Sequence, residues 1–261
     1  EEIRYPHSLG LLYSAFTYFC GFKVHSGDYK FMGLAPYGKP VYYDVIKEKV
    51  IDIKGDGSYR LNMEYFDYHR GGTMINEGKI SELFGGGRRQ PESRITQREM
   101  DIAASVQKIT GEVVILLARH AKEEYGDSQK GSLLGPAFSM EFGPRSLGNR
   151  SILADCRSPY MQSRINLKIK YRESFGAFAP LVLAEKEEEY FDLPCDSPYM
   201  LKVGDVQPGR RKPFDLEGLL EEREGDMLQV VSEPRSDIPA VTHVDYSARI
   251  QTVDLVRNPE L

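Results

Sequence analysis

The longest periodic segment places the strongest constraint on the fold. From about Thr96 to Glu124, the residues Ile102, Val106, Ile109, Val113, Leu116 and Leu117 recur at helical spacing. Thr96 with Glu99 forms a capping box at the start. A helix of this kind draws its stability from burying its apolar stripe, so other elements must cover it. Tyr125-Gly126 ends the pattern, and Asp127 to Ser132 is polar and without period. The spacing therefore predicts one unit built around the long helix and a second after it. His120, near the end of the stripe, reads as a packed or capping residue.

The segments before the long helix are candidates to cover it. Leu9 to Phe22 carries Leu9, Leu12, Tyr13, Phe16, Phe19 and Cys20 at helical spacing and ends at Gly21. Ser26 to Gly38 holds three glycines and a proline in thirteen residues, which reads as a loop of tight turns. Such a loop serves as a connector or lets a ligand approach the main chain. Val50 to Leu61 reads as a hairpin turning at Lys54-Gly55-Asp56-Gly57. Phe84-Gly85-Gly86-Gly87-Arg88-Arg89 lacks the ending of a phosphate loop and reads as a connector.

In the second half, Ile152-Leu153-Ala154 is a short strand candidate and Pro159 to Ile169 reads as a helix. Ala179 to Ala184 reads as a buried strand and Glu185 to Glu189 as an acidic helix start. Ala240 to Val253 has two β-rich ends around a polar middle.

An apolar fraction of 41% excludes a disordered chain. The three cysteines, Cys20, Cys156 and Cys195, are too few and too scattered for a disulfide framework or a zinc cluster, which implies reduced thiols and a cytoplasmic protein. No apolar run reaches the roughly 20 residues of a membrane span. A net charge of −5 argues against nucleic-acid coating. The distribution of charge says more. Between Gly143 and Phe175 the window carries +5, leaving −10 for the rest of the chain. A basic stretch in an acidic protein points to a local anion such as a phosphate or nucleotide, or to a solvated basic surface.

Within that window, Arg145 and Arg150 lie five apart with Gly148 and Asn149 between them. Two guanidinium forks and nearby main-chain N–H groups can converge on one oxyanion. Lys168, Lys170 and Arg172 alternate at period two, which on a strand would place them on one face with Leu167, Ile169 and Tyr171 on the other. Further on, His243, Ser247 and Arg249 lie within seven residues. Closeness in sequence does not make a hydrolase of them, because that chemistry also needs a carboxylate orienting the pair. No His-x-x-x-His, Cys-x-x-Cys or spaced acidic triplet indicates a metal site.

These residues resemble a known family. Gly143 to Asp155, Lys170 to Phe175 with Phe178-Ala179-Pro180, and Asp237 to Asp245 are similar to signatures of the NodU/CmcH-type O-carbamoyltransferases. Gly27 to Gly38 and Thr96 to Leu117 resemble the same family, in the same order. The resemblance implies an α/β protein in two parts. Residues 1–135 would be part of an actin and sugar-kinase-like (ASKHA) domain. Residues 136–261 would be a YrdC-like twisted-sheet domain, truncated at its end. It implies ATP and carbamoyl phosphate as substrates, a carbamoyl-adenylate, and transfer to a substrate hydroxyl, with a divalent metal (Fe or Mg) whose ligands are not in this chain. Carried over, Lys170, Arg172 and His243 become catalytic candidates, and Arg145, Asn149, Arg150, Ser247 and Arg249 candidates for binding carbamoyl phosphate and nucleotide. The implied partner is a small hydroxyl acceptor (a sugar, an antibiotic or a nodulation factor), with no nucleic acid or membrane, and a homodimer is allowed.

The sequence also departs from the family. The His-rich metal motif expected before the first helix is absent, as is the Asp-Ala-Gly-Gly stretch expected after Gly126. A connecting segment is missing between Ser139 and Met140, and so is the closing strand after Leu261. The expectation is therefore a piece of the enzyme, inactive alone in the full reaction. The rival reading is a non-catalytic YrdC-like module that binds nucleotide or RNA.

Overall fold

The structure, a computed structural model, describes residues 3–125, 147, 153–171, 173–222 and 227–256. It is a mixed α/β chain of two compact units, Glu1–Ser132 and Leu133–Leu261.

In the first unit, α1 (Leu9–Phe19), α2 (Asp28–Leu34) and α3 (Tyr43–Lys49) precede the hairpin β1 (Ile51–Ile53) and β2 (Tyr59–Leu61). α4 (Glu77–Phe84) and α5 (Gln97–Tyr125) follow. The predicted capping box is formed: the Thr96 N–H and hydroxyl donate to Glu99 Oε2 at 2.9 and 2.5 Å. Ile102, Val106, Ile109 and Val113 are fully buried, which at roughly 2 kcal/mol each outweighs any propensity term in fixing this helix. α1, α2 and α3 supply the cover. Leu116 is half-buried and Leu117 exposed, so the stripe is buried only as far as Val113.

The segment Ser26–Gly38, expected to be a loop, is instead α2 followed by a 3-10 turn, Ala35–Tyr37. Phe31 and Leu34, one helical turn apart, are fully buried, and that burial outweighs the glycine content. The close backbone approach anticipated there is made to α5. A Cβ on Gly38 would lie 2.1 Å from Met100 C and O, so only glycine fits. The next residues continue along the same helix. Lys39 N–H donates to Asp101 Oδ1 (2.7 Å), Tyr42 N–H to Ser105 Oγ (3.0 Å), and Lys47 pairs with Glu112 at 2.7 Å.

The second unit holds a four-stranded sheet in the order β3-β6-β5-β4, from Leu181–Leu183, Ser247–Val253, Lys202–Val206 and Phe191–Asp192. β3 runs parallel to β6; the other two pairs are antiparallel. One face buries Phe191, Val206, Ala248 and Ile250 against Ile238, with Val182 and Val241 at the margin. The helices are α6 (Met161–Ile165), α7 (Glu187–Tyr190), α8 (Leu216–Glu222) and α9 (Met227–Ser232).

The helix expected over Pro159 to Ile169 is present from Met161 onward as α6 and the π turn Asn166–Lys170 that continues it, so Lys168 and Lys170 do not lie on a strand, and two further local expectations fail. The buried Asn166 side chain donates to Ser174 O (3.0 Å) and Gly176 O (2.7 Å), and Tyr171 ends the turn at φ 49°. Leu167, Ile169 and Tyr171 are all exposed, so the alternation had no apolar face to bury. Leu153 and Ala154 are not in a strand, and Ile152 lies outside the described residues. Ala240 to His243 is a turn-rich loop rather than a strand, because Ser236 and Thr242 hydroxyls engage each other (2.7 Å) and Thr242 also donates to Ile238 O (2.9 Å). Such side-chain bonds compete with ladder pairing.

Candidate functional site

Successive residues of β6 alternate between the two faces of the sheet. Ala248 and Ile250 enter the core, so Ser247, Arg249 and Gln251 share the opposite face. Arg249 is exposed and stands across from Val203 on β5, itself 61% exposed. Gln251 is almost fully buried, and its side-chain amide donates to Leu147 O at 2.9 Å. Leu147 lies inside the Gly-Pro-Arg-Ser-Leu-Gly-Asn-Arg motif, 104 residues earlier, and this bond joins it to the strand carrying Arg249.

His243 and Ser247 bracket the turn into β6: His243 N–H donates to Ser247 O (2.8 Å) and Tyr246 N–H to His243 O (3.0 Å). The Ser247 hydroxyl and N–H both donate to Asp245 Oδ1, at 2.6 and 3.0 Å. That proton is used within the turn, leaving the oxygen lone pairs as acceptors and no Ser/His nucleophile. Burial holds the His243 imidazole below its usual pKa range; Asp245 opposes the shift and Arg235 adds to it. A neutral imidazole accepts or donates hydrogen bonds but brings no positive charge, so of His243, Ser247 and Arg249 it is Arg249 that is cationic.

Arg235, which sequence reasoning passed over, anchors the loop. It is 1% exposed. Its guanidinium donates to Thr242 O (3.0 Å), Val231 O and Pro239 O (3.3 Å each), and Val230 O and Gln162 Oε1 (3.4 Å each). One side chain thereby joins α6, α9 and the loop that delivers His243 to the sheet. The only available signal was its position two residues before Asp237. That aspartate pairs with Arg210, whose guanidinium also stacks 3.7 Å from the Tyr190 ring centroid.

Of the other candidates, Lys170 is exposed on the last turn of the α6 extension, where its charge complements the helix C-terminus. It stands on a different element from the loop and strand shared by His243, Ser247 and Arg249. Arg145, Asn149, Arg150 and Arg172 lie outside the described residues. At the end of the same motif Asp155 grips Arg157 with two bonds of 2.9 and 2.8 Å. This holds its carboxyl down at about 2 and neutralises part of the basic window. Among the described residues no group of three or more His, Cys, Asp and Glu is arranged to hold a metal ion, and no helix is long and apolar enough to cross a membrane.

Comparison with known proteins accounts for the motifs. Residues 1–136 match the family described as carbamoyltransferase N-terminus, and residues 133–261 match carbamoyltransferase C-terminus. An uncharacterized protein of Synechocystis is 41% identical over 99% of this chain and 58% of its own length. That alignment runs over 365 positions, more than the 261 residues here, so the relative carries internal segments without counterpart. Nodulation protein NolNO of Sinorhizobium fredii is 25% identical over 94% of the chain and 46% of its own length. The 3'-hydroxymethylcephem-O-carbamoyltransferase of Streptomyces clavuligerus is 36% identical over 46% of the chain and 18% of its own length. The chain thus spans about half the length of the first two relatives. With both halves matched in order, the chain belongs to the NodU/CmcH-type carbamoyltransferase family.

Proposed function

We propose that the chain is part of an O-carbamoyltransferase, and that its second unit holds carbamoyl phosphate and ATP against the face of the sheet bearing Arg249. The supporting observation is the bond from Gln251, two residues along the strand from Arg249, to Leu147, a residue that in sequence lies between Arg145 and Arg150. In this reading residues 1–135 are an ASKHA-type part and residues 136–261 a YrdC-like part, working in the cytoplasm.

Carbamoyl phosphate and ATP both carry charge that guanidinium groups bind in pairs of hydrogen bonds. Water cleaves carbamoyl phosphate to carbamate and inorganic phosphate. A carbamate oxygen then attacks the α-phosphorus of ATP, and pyrophosphate leaves. The acceptor hydroxyl attacks the carbamoyl carbon, AMP departs with the bonding pair, and the hydroxyl proton goes to solvent or a base. Arg249, Lys170, Arg172, Arg145 and Arg150 oppose the phosphate charge during these steps, while Asn149, neutral His243 and the Ser247 oxygen supply hydrogen bonds. The described residues offer no fitting metal cluster, so no step here is routed through the divalent ion that the family implies. The partner is a small hydroxyl-bearing acceptor rather than nucleic acid, and two copies can associate without altering this chemistry.

The test is carbamoyl-phosphate-dependent ATP–pyrophosphate exchange with the purified chain. Exchange that requires carbamoyl phosphate, and is abolished in the Lys170→Ala/Arg172→Ala double variant, supports the reading. Unchanged exchange in that variant removes those two residues from the site. RNA affinity that falls steeply with salt, with no response to carbamoyl phosphate, would instead indicate a nucleic-acid module.

A further inference from the structure

Of the three free cysteines, Cys20 is buried and Cys156 half-buried, whereas Cys195 is exposed. Cys195 lies in the loop between β4 and β5, shortly before Lys202, the first residue of β5. The half-buried Lys202 side chain donates a hydrogen bond to Cys195 Sγ, and its Nζ stands 3.5 Å from Cys195 O. A thiol and an amine are thus in direct contact where small solutes reach the sulfur.

The backbone around the pair holds that contact. Ser197 is 2% exposed and exchanges two bonds with Thr252 on β6. Its N–H donates to Thr252 Oγ1 (2.8 Å), and Thr252 N–H donates to Ser197 O (3.1 Å). The Ser197 hydroxyl also accepts from Lys202 N–H at 3.2 Å. At the start of the loop, Asp192 O packs so near Gly204 of β5 that a Cβ there would lie 2.6 Å from it. Cys195 and Lys202 therefore stand on two stretches of backbone pinned to one sheet. Two reacting groups held in this way meet in an intramolecular step rather than a bimolecular encounter.

We infer that Cys195 and Lys202 are a modification site, joined through a sulfur–nitrogen bond when the chain meets a peroxide. The Cys195 sulfur attacks one oxygen of hydrogen peroxide, the O–O bond breaks, and water leaves a sulfenic acid behind. The Lys202 amine, its extra proton given up to solvent, then attacks that sulfur. The S–N bond forms and the S–O bond breaks. Hydroxide departs with the bonding pair and takes a proton from nitrogen, giving a second water. Sulfur is oxidised, the peroxide is reduced, and the chain loses two hydrogens. A thiol reductant reverses the bond by attacking sulfur and releasing the amine. Neither residue enters the carbamoyl phosphate reading, so the inference stands or falls apart from it.

Peptide mass spectrometry on the full chain after hydrogen peroxide, with and without dithiothreitol, tests it. The expected product joins Cys195 to Lys202, is two hydrogens lighter than the unmodified peptides, resists iodoacetamide and disappears on reduction. It should be absent in Lys202→Arg, which keeps a hydrogen-bonding cation without a primary amine, and in Cys195→Ser. In the arginine variant Cys195 should run on to sulfinic and sulfonic acid. A parent chain in which Cys195 stays a free thiol, or runs on to those acids with Lys202 unmodified, overturns the inference. Loss of two hydrogens that maps to a disulfide with another cysteine also overturns it.

Discussion

Arg235 connects three pieces of the second unit through one buried cation, so Arg235→Ala is a stringent test of how the His243 loop is held. Its bond to Thr242 O has ordinary length at 3.0 Å, and a charge-assisted bond of that kind contributes roughly 1.5–3 kcal/mol. The four bonds at 3.3–3.4 Å are weaker and together contribute about as much again. Truncation also leaves buried carbonyls unpaired and opens a cavity. The expected loss is about 3–6 kcal/mol, a large share of a stability of roughly 5–15 kcal/mol. Hydrogen exchange followed by mass spectrometry reads this locally. Peptides covering residues 227–256 should exchange at least about a hundredfold faster, while peptides from residues 97–113, in the other unit, keep their protection. Arg235→Lys retains the charge on a point-like ammonium without the planar fork and should fall between the two. Acceleration of less than about tenfold in Arg235→Ala would mean the loop is held by something else, and the reasoning fails.

Two titrations with opposite signs should be separable. His243 has a folded pKa below its unfolded value near 6.5, so the unfolded chain binds more protons in that window and stability falls as pH drops from 7 towards 5. Urea midpoints of His243→Gln should be flatter over that range than those of the parent, and parallel curves would contradict the assignment. Glu187 is buried, and burial, reinforced by Glu188, Asp196 and Asp192, raises its pKa above the usual 4.5. It therefore costs stability as pH rises past 4.5. Glu187→Gln should raise the melting temperature at pH 7 and lose that advantage near pH 4, and equal melting at both pH values would refute it.

The parts of the fold that were readable in the sequence are those encoded by neighbours in the chain. The Thr96/Glu99 box and the four-turn stripe define α5, and the hairpin turn at Lys54 to Gly57 closes β1 on β2, because each signal lies within a few residues of its effect. Lys168, Lys170 and Arg172 left a strand open beside the helix expected over Pro159 to Ile169, and the helix is what forms, because period-two charge specifies a strand only when the intervening residues find an apolar surface. Here a clasp from Asn166 to Ser174 and Gly176 settles the matter instead. The candidate site was legible only in part, for a related reason. Arg249 and His243 drew attention because they lie within seven residues of each other beside a serine, whereas Arg235 and Gln251 gain their roles from partners far away in sequence, such as Gln162 and Leu147. Composition and spacing carry no trace of such pairings.

The most direct test of the central claim is calorimetric titration of carbamoyl phosphate into the chain and into Arg249→Ala. Arg249 is exposed on the sheet face, so its loss leaves the core intact and removes positive charge and hydrogen-bond donors from the proposed site. The account predicts saturable binding to the parent and at least about tenfold weaker binding to the variant, as expected for the loss of one charge-assisted contact. Equal affinity in the two proteins, or no binding to a folded parent, would contradict it.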